Sequence, residues 1–172
     1  PFGTLLQGRL VLRKSIETWV AALAAAPIVL AYPLFLVIFG RSPWTIIAIG
    51  VLSGLPPVVL LTIEGLDAIP RVLIATGHSF RLTHWQLFWK IMFPAALPSI
   101  FSGLRIGLIF ALINVVGVEF LINFGGLGQL INELAERYDL PGTYAAICFV
   151  VLVSVVVFVI MERIEKWLRP GS

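Results

Sequence analysis

The segment Gly142–Met161 reads GTYAAICFVVLVSVVVFVIM and carries no charged residue. A helix needs roughly 20 apolar residues to cross the hydrocarbon core of a bilayer, and this run has that length. It is far longer than a core strand, and it lacks the alternation of polar and apolar residues found in membrane barrels. The segment therefore predicts a transmembrane helix.

Three other segments have the same character. Thr18–Phe39 and Trp44–Ile63 contain no charge, while Ser99–Ile122 carries Arg105 near its start and Glu119 near its end. Together with the first segment they predict about four spans. We expect an all-α fold, a polytopic transmembrane helical bundle.

The composition of the chain agrees with a lipid environment. Hydrophobic residues make up 59% and charged residues 12%, and the mean hydropathy is +1.02. A soluble domain is typically about 45–50% apolar and about 25% charged. A water-soluble chain of this size has too much surface for such a composition to cover. We expect one membrane domain over residues 1–172.

The sequence lacks the residues that other function classes need. The net charge of +3 comes without a basic patch, which disfavours nucleic-acid binding. Cys148 is the single cysteine, and His78 and His84 have no cysteine or carboxylate partners at zinc spacing. There is no phosphate-binding glycine-rich loop, and no histidine lies in a predicted span to serve an intramembrane hydrolase. We predict that the chain is not an enzyme and binds no metal.

The basic residues are distributed unevenly around the predicted spans, and positive residues favour the cytoplasmic side of a membrane. They lie before the first span, between the second and third, and after the fourth, at Arg9, Arg13, Lys14, Arg71, Arg81, Lys90, Arg163, Lys166 and Arg169. The opposite connections hold only Arg41 and Arg137. We predict that the N-terminal segment, the loop of about 64–94 and the C-terminus are cytoplasmic.

The longer outer connection, Asn123–Asp139, opens with Gly125-Gly-Leu-Gly128 and then becomes amphipathic. Apolar residues at helical spacing face one way, and Glu133 and Glu136 face the other. We expect a short helix at the outer surface or lining the mouth of a pathway.

The cytoplasmic loop of about 64–94 is too long to be a simple connector. Thr83 followed by Gln86 three residues later predicts a capping box at a helix N-terminus, and Pro94 predicts the end of that helix. An apolar stripe at positions i, i+3, i+4 and i+7 runs between them, formed by Trp85, Phe88, Trp89 and Met92. The stripe either packs on the protein's own spans or at lipid headgroups, or it inserts into a groove on a second protein.

The residues around this stripe, Ala75–Arg105, read ATGHSFRLTHWQLFWKIMFPAALPSIFSGLR. They resemble the cytoplasmic "EAA" loop of binding-protein-dependent ABC importer permeases, most closely the branch that carries nitrate, taurine and alkanesulfonates. Pro33-Leu-Phe35 with Phe39-Gly40, and Val118-Glu119-Phe120 with Gly126-Leu-Gly128, are similar to further segments of that family. The resemblance covers nearly the whole chain.

The resemblance implies a permease subunit of an ATP-driven importer in the bacterial inner membrane, with the short loop helix as its coupling helix. The implied cargo is a small organic or inorganic anion; the motifs do not separate this from a thiamine-precursor pyrimidine or riboflavin. A membrane scaffold without transport would keep the spans but would have no use for the aromatic stripe. The family permease has six spans, so this chain, which starts at Pro1, is expected to be N-terminally truncated.

The implied partners are an ABC ATP-binding subunit, a periplasmic or lipid-anchored solute-binding protein, a second permease copy and membrane lipid. The subunit itself needs no cofactor, because ATP and Mg²⁺ are bound by the partner ATPase. The residues that the resemblance assigns to coupling are Gly77, Ser79, Arg81, Thr83, Trp85, Phe88, Trp89, Pro94 and Pro98.

Two positions depart from the family loop. Its glutamate falls at Ala75 and its glycine, which serves the turn between two short helices, falls at Arg81. An arginine fits there if the turn does not need a positive φ. The departures concern the strength or regulation of coupling.

Polar residues within the spans are the candidates for a pathway or gate, because a charge in the bilayer usually faces protein or water. Glu119 lines a pathway or pairs with a neighbour. Asn114 and Asn123 are further candidates, with interhelical bonding the alternative for Asn114. For Arg105 we expect snorkelling to the cytoplasm, with a carbonyl group or Glu64 as its contact, and substrate binding is the alternative.

Overall fold

The computed structural model describes residues 2–123 and 125–167, and all regular structure in these ranges is helical. Three helices are long and apolar enough to cross a membrane, or four if a bent pair at the start counts as one span. The predicted all-α, polytopic bundle is confirmed. The helices are α1 (Phe2–Ala25), α2 (Tyr32–Phe39), α3 (Pro43–Asp67), α4 (Arg71–Ser79), α5 (His84–Leu87), α6 (Phe93–Ile122), α7 (Gly126–Glu136) and α8 (Leu140–Trp167).

The orientation prediction rests partly on residues outside this description. The side chains of Arg9 and Arg13, and the whole of Arg169, lie outside the described part of the chain. The cytoplasmic placement of the C-terminus stays a prediction.

The first predicted span is broken at Pro27. The helical segments Lys14–Ala25 and Ile28–Phe39 meet at 88°, with a 3-10 turn at Ile28–Ala31 leading into α2. Proline cannot donate the backbone hydrogen bond that would continue α1, and its ring clashes with the preceding turn. The break is held by a small core of Ile28, Ile49 and Val118.

Glycines bring α3 and α6 into backbone contact. A Cβ added to Gly54 would lie 2.8 Å from the carbonyl oxygen of Gly107, and one added to Gly107 would lie 2.5 Å from that of Gly54. Gly50 precedes Gly54, and Gly103 precedes Gly107, at the four-residue spacing typical of close helix pairs in membranes. This contact is the centre of the described bundle.

The helix that begins at His84 does not end at Pro94, so that prediction is wrong. It continues as one helix of 39 residues to Ile122, through a π turn at Phe88–Met92. The π turn shifts the hydrogen-bonding register, with the Phe93 N–H donating to the Phe88 carbonyl. The widened turn lets the chain pass Pro94, whose ring would collide with a regular helical turn. The predicted loop helix and the third predicted span are therefore one element.

Candidate functional site

The corner between α4 and α5 is fixed by Gly77. A Cβ at this position would collide with Cδ1 of Leu87 and would lie 2.9 Å from Cδ1 of Ile91. Leu87 is buried as a result. The inward face of the α5 segment is thus occupied by Leu87 and Ile91, and the other face is left to the aromatic residues.

The predicted capping box is confirmed. The Gln86 N–H donates to Thr83 Oγ1 at 3.3 Å, and the Thr83 N–H donates to Gln86 Oε1 at 3.0 Å. Each bond satisfies a donor that the first helical turn leaves free. The cap determines where α5 starts and therefore which side chains point outward.

Trp85, Phe88 and Trp89 form an aromatic surface on the outward face. Trp85 is 71% exposed and Trp89 46%. The rings of Trp85 and Trp89 meet edge to face at 5.5 Å between centroids, and those of Phe88 and Trp89 at 5.4 Å. The rings therefore support one another, with Phe88 half-buried and the two tryptophans open to the outside. Lipid headgroups and a groove on a second protein both remain as environments for the exposed rings.

Arg81 occupies the turn between α4 and α5 with φ +52°. The Leu82 N–H donates to the Gly77 carbonyl at 3.2 Å and the Arg81 N–H to that of His78 at 2.9 Å. This is the Schellman pattern, in which glycine is usual at the left-handed position. The turn does need a positive φ, so the condition under which an arginine would fit without cost is not met. A left-handed residue other than glycine costs roughly 1–2 kcal/mol.

Arg81→Gly is expected to stabilise the α4–α5 corner by about 1 kcal/mol, because it removes the left-handed penalty while keeping both turn hydrogen bonds. Chymotrypsin cleavage within the exposed loop should then slow about fivefold, since cleavage tracks the population of the open form. Arg81→Ala removes the charge but keeps a Cβ, so it should not slow cleavage. Equal slowing by both variants would assign the effect to charge.

At the opposite end of α6, Glu119 binds the start of α7. Glu119 Oε2 accepts from the Gly128 N–H at 3.1 Å, and a carboxylate is favoured at a helix N-terminus. A Cβ at Gly126 would collide with this carboxylate. The predicted amphipathic helix is present as α7, and Glu119 holds it against α6.

Asn123 belongs to a polar network with Arg41, Asn132 and Glu136, called the outer polar network because this end of α6 is predicted to lie outside. Arg41 Nη2 donates to the carbonyl oxygens of Asn123 at 2.7 Å and of Ile122 at 3.3 Å. Asn132 Nδ2 lies 2.7 Å from Asn123 Oδ1 and 2.9 Å from Glu136 Oε1, and donates to both. Arg41 thereby satisfies carbonyls at the C-terminus of α6, where a cation is also favoured by the helix dipole.

Asn114 lies midway along α6, beside a cavity of about 180 Å³ at the break after α1. Its Nδ2 donates to the Phe110 carbonyl of its own helix at 2.9 Å, so the amide group does not bond to another helix through this donor. Ser53 lines the same cavity and donates to the Gly50 carbonyl at 3.0 Å. The polar groups at this cavity wall are therefore neutral amide and hydroxyl groups.

Arg105 pairs with Glu165 on α8 and not with Glu64, while its snorkelling to the cytoplasm stays a prediction. Arg105 Nη1 lies 3.1 Å from Glu165 Oε2, and Ser102 Oγ donates to Glu165 Oε1 at 3.1 Å. Glu165 is only 8% exposed. Sequence reasoning missed this inner cluster, because Glu165 lies beyond the predicted end of the last span and sixty residues from Arg105.

The candidate residues thus fall into three groups along α6. The coupling candidates gather at one end, with Pro94 and Pro98 inside the helix and Ser79 bonded to the Ala75 carbonyl of α4. Glu119 and Asn123 lie at the other end and bind α7 and the outer polar network. Asn114 lies between the two groups.

Comparison with known proteins identifies the family. The sequence profile described as "Binding-protein-dependent transport system inner membrane component" matches residues 1–170. The formylaminopyrimidine transport permease protein ThiX of Halalkalibacterium halodurans is 30% identical over 98% of this chain and 69% of its own length. The riboflavin transport system permease protein RibX of Chloroflexus aurantiacus is 30% identical over 91% of this chain and 59% of its length.

Other similar permeases are named for different solutes, among them the taurine permease TauC of Escherichia coli, 27% identical over 82% of this chain. A solved structure, that of the inward-facing methionine transporter MetNI, superposes with a TM-score of 0.82 over 95% of this chain and 78% of its own, at 20% identity. It shows the same fold. The present chain spans about six to seven tenths of the lengths of ThiX and RibX.

Proposed function

Because the chain belongs to the family of inner membrane components of binding-protein-dependent transport systems, we propose that the full-length protein is the permease subunit of an ATP-driven importer. It forms the translocation pathway in the bacterial inner membrane and couples it to a separate ATP-binding subunit. One observation carries this proposal: the rings of Trp85, Phe88 and Trp89 are assembled into one surface on which both tryptophans are exposed.

The aromatic surface has the properties of a protein-binding site. Tryptophan is enriched among the residues that dominate interface energies, and a preformed cluster loses little side-chain entropy on binding. The Gly77 corner and the Thr83 cap fix the helix that presents it. A groove on the ATP-binding subunit would bury the rings, and ATP and Mg²⁺ belong to that subunit.

The outer end supports a second partner. The face of α7 that carries Asn132 and Glu136 is polar and tied to the ends of the spans through Arg41 and Glu119. We place the docking of a periplasmic or lipid-anchored solute-binding protein there. A second permease copy completes the pathway, and lipid covers the remaining apolar surface.

Two classes of solute are candidates. ThiX and RibX are named for heterocycles, and although the glycine betaine/proline betaine permease ProW is equally 30% identical, ThiX matches over 98% of this chain against 90% for ProW. The cavity at the break after α1 presents the neutral groups of Asn114 and Ser53. We place a thiamine-precursor pyrimidine or riboflavin first on these grounds. The second candidate is a small anion such as taurine, a sulfonate or nitrate, which the loop motif and the similarity to TauC favour.

Uptake into proteoliposomes tests the proposal. The full-length permease, its ATP-binding subunit and its solute-binding protein are reconstituted with or without ATP, and formylaminopyrimidine, riboflavin and taurine are supplied in turn. We expect ATP-dependent accumulation of a heterocycle and none of taurine. Uptake of taurine alone would reverse the order of the two solutes, and a permease that never assembles with the ATP-binding subunit would contradict the proposed importer.

A further inference from the structure

The inner cluster of Ser102, Arg105 and Glu165 joins α6 to α8. Ser102 and Arg105 are three residues apart, on one face of α6, and both contact the Glu165 carboxylate. Arg105 also lies over the ring of Phe158, with its Cζ 5.3 Å from the ring centroid. A single guanidinium therefore contacts α8 at two levels.

These two levels determine how α8 is placed. Phe158 and Glu165 are seven residues apart and lie on the same face, about 10 Å apart along the helix axis. A rotation of α8 would carry both away from Arg105, and a translation along the axis would separate the carboxylate from the guanidinium. The cluster therefore fixes both the rotation and the height of α8 relative to α6.

The remaining surface of α8 offers little such directionality. Phe149, Val151 and Leu152 are 52–59% exposed. Only 6% of the most apolar 18-residue stretch of this helix is buried. Between helices in lipid, apolar contacts lack a hydrophobic driving force, so one apolar helix slides past another at small cost. A charged contact shielded from water is much more sensitive to displacement.

Arg105, the α6 residue of the ion pair, lies on the same helix as the aromatic surface. Arg105 lies on the same continuous helix as Trp85, His84–Ile122, about 30 Å further along its axis. The π turn at Phe88–Met92, Pro94 and Pro98 lie between the two residues but no loop does, so a displacement of Trp85 reaches Arg105 through helix alone.

We propose that Arg105 and Glu165 are positioning residues that make α8 move together with α6 when the ATP-binding subunit displaces the aromatic surface. This inference rests on the proposed function. The pair transmits the motion of α6 to α8, a span that has few other directional contacts with α6. Neither residue contacts solute or ATP in this role.

The test replaces the pair by apolar residues of similar size. Arg105→Met/Glu165→Met should fold, because exchanging a buried ion pair for packed apolar side chains is often neutral for stability. Spin labels are placed on Cys148 of α8 and on Ala95→Cys of α6, both exposed positions, with any cysteine outside these 172 residues replaced. One labelled copy of the full-length permease is paired with an unlabelled, cysteine-free copy and bound to the ATP-binding subunits, so that the only label pair lies within one permease copy; the distance between the two labels is measured without ATP and with ATP and vanadate.

In the parent protein we expect one distance that does not shift between the two states. In the Met/Met variant we expect unchanged binding of the ATP-binding subunit and a second distance that appears with ATP and vanadate. The control Glu162→Gln, which breaks an exposed ion pair with Lys166 on the same helix, should behave like the parent.

Three results would overturn the inference. An unshifted distance in the Met/Met variant would show that α8 follows α6 without the pair. A shift in the parent protein would show that the two helices do not move together. Failure of the Met/Met variant to insert would assign the pair to folding. A parent protein that never binds the ATP-binding subunit would instead contradict the proposed function, so the two failures are distinguishable.

Discussion

Trp85→Asp is expected to abolish capture of the ATP-binding subunit by the full-length permease in detergent. Truncating a central aromatic anchor typically costs 2 kcal/mol or more, about 30-fold in Kd, and aspartate adds the cost of burying a charge in an apolar groove. The spans should be unaffected, because Trp85 is 71% exposed and touches the rest of the chain mainly through Trp89. Co-purification of the two subunits at equal permease yield measures the effect.

Two controls separate the apolar contact from general disturbance of the loop. Trp85→Phe keeps an aromatic ring and should retain most of the captured subunit. His84→Asp introduces the same charge one residue earlier, on an exposed side chain at the helix start where an acidic residue is tolerated. If Trp85→Asp captures as much subunit as the parent protein, the aromatic surface is not the docking site.

Gly107→Ala is expected to destabilise the packing of α3 against α6. The added Cβ would lie 2.5 Å from the Gly54 carbonyl oxygen and 2.9 Å from Val58 Cγ2. A backbone oxygen cannot rotate away as a side chain can, so α3 and α6 must separate along their contact. Overpacking of this kind costs up to about 3 kcal/mol. The loss should appear as a lower unfolding temperature of the purified permease.

Gly117→Ala is the matched control on the same helix. Its Cβ would meet only Val29 Cγ2, at 3.8 Å, which is an ordinary contact. Alanine also has the better helix propensity, so this variant should be neutral or slightly stabilised. Similar losses in the two variants would show that glycine at position 107 serves flexibility and not the close approach of α3.

Features that depend on neighbouring residues could be predicted from the sequence. The apolar runs gave the spans, since lipid requires long apolar helices. The capping box could be predicted because Thr83 and Gln86 bond within a single helical turn. The amphipathic α7 followed from its own periodicity.

Features that depend on two alternatives of similar energy could not be predicted. Pro94 usually ends a helix, yet a π turn at Phe88–Met92 carries the helix past it. Arg81 takes a left-handed conformation because the Schellman bonds of the corner compensate its cost. In both cases the local preference gives way to the contacts of the surrounding structure.

Pairings between residues far apart in the sequence could not be predicted either. For Arg105 the sequence suggested snorkelling to the cytoplasm and a contact with Glu64. Its partner in the structure is Glu165, which lies in a segment whose sequence is typical of a polar tail. The structure does give physical reasons for two glycines of the segment Ala75–Arg105. Gly77 admits Leu87, and Gly103 meets the backbone of α3 at Val58, 3.1 Å from an added Cβ.

The most direct test of the central claim places a photoreactive benzoyl-phenylalanine at position 85 of the full-length permease. The protein is expressed with its ATP-binding subunit in intact membranes and irradiated, and the cross-linked products are identified by mass spectrometry. The account predicts a cross-link to the ATP-binding subunit that disappears when the probe is moved to Trp44, at the end of α3 predicted to lie outside. Cross-links at position 85 to lipid or to the permease itself, with none to the ATP-binding subunit, would contradict it.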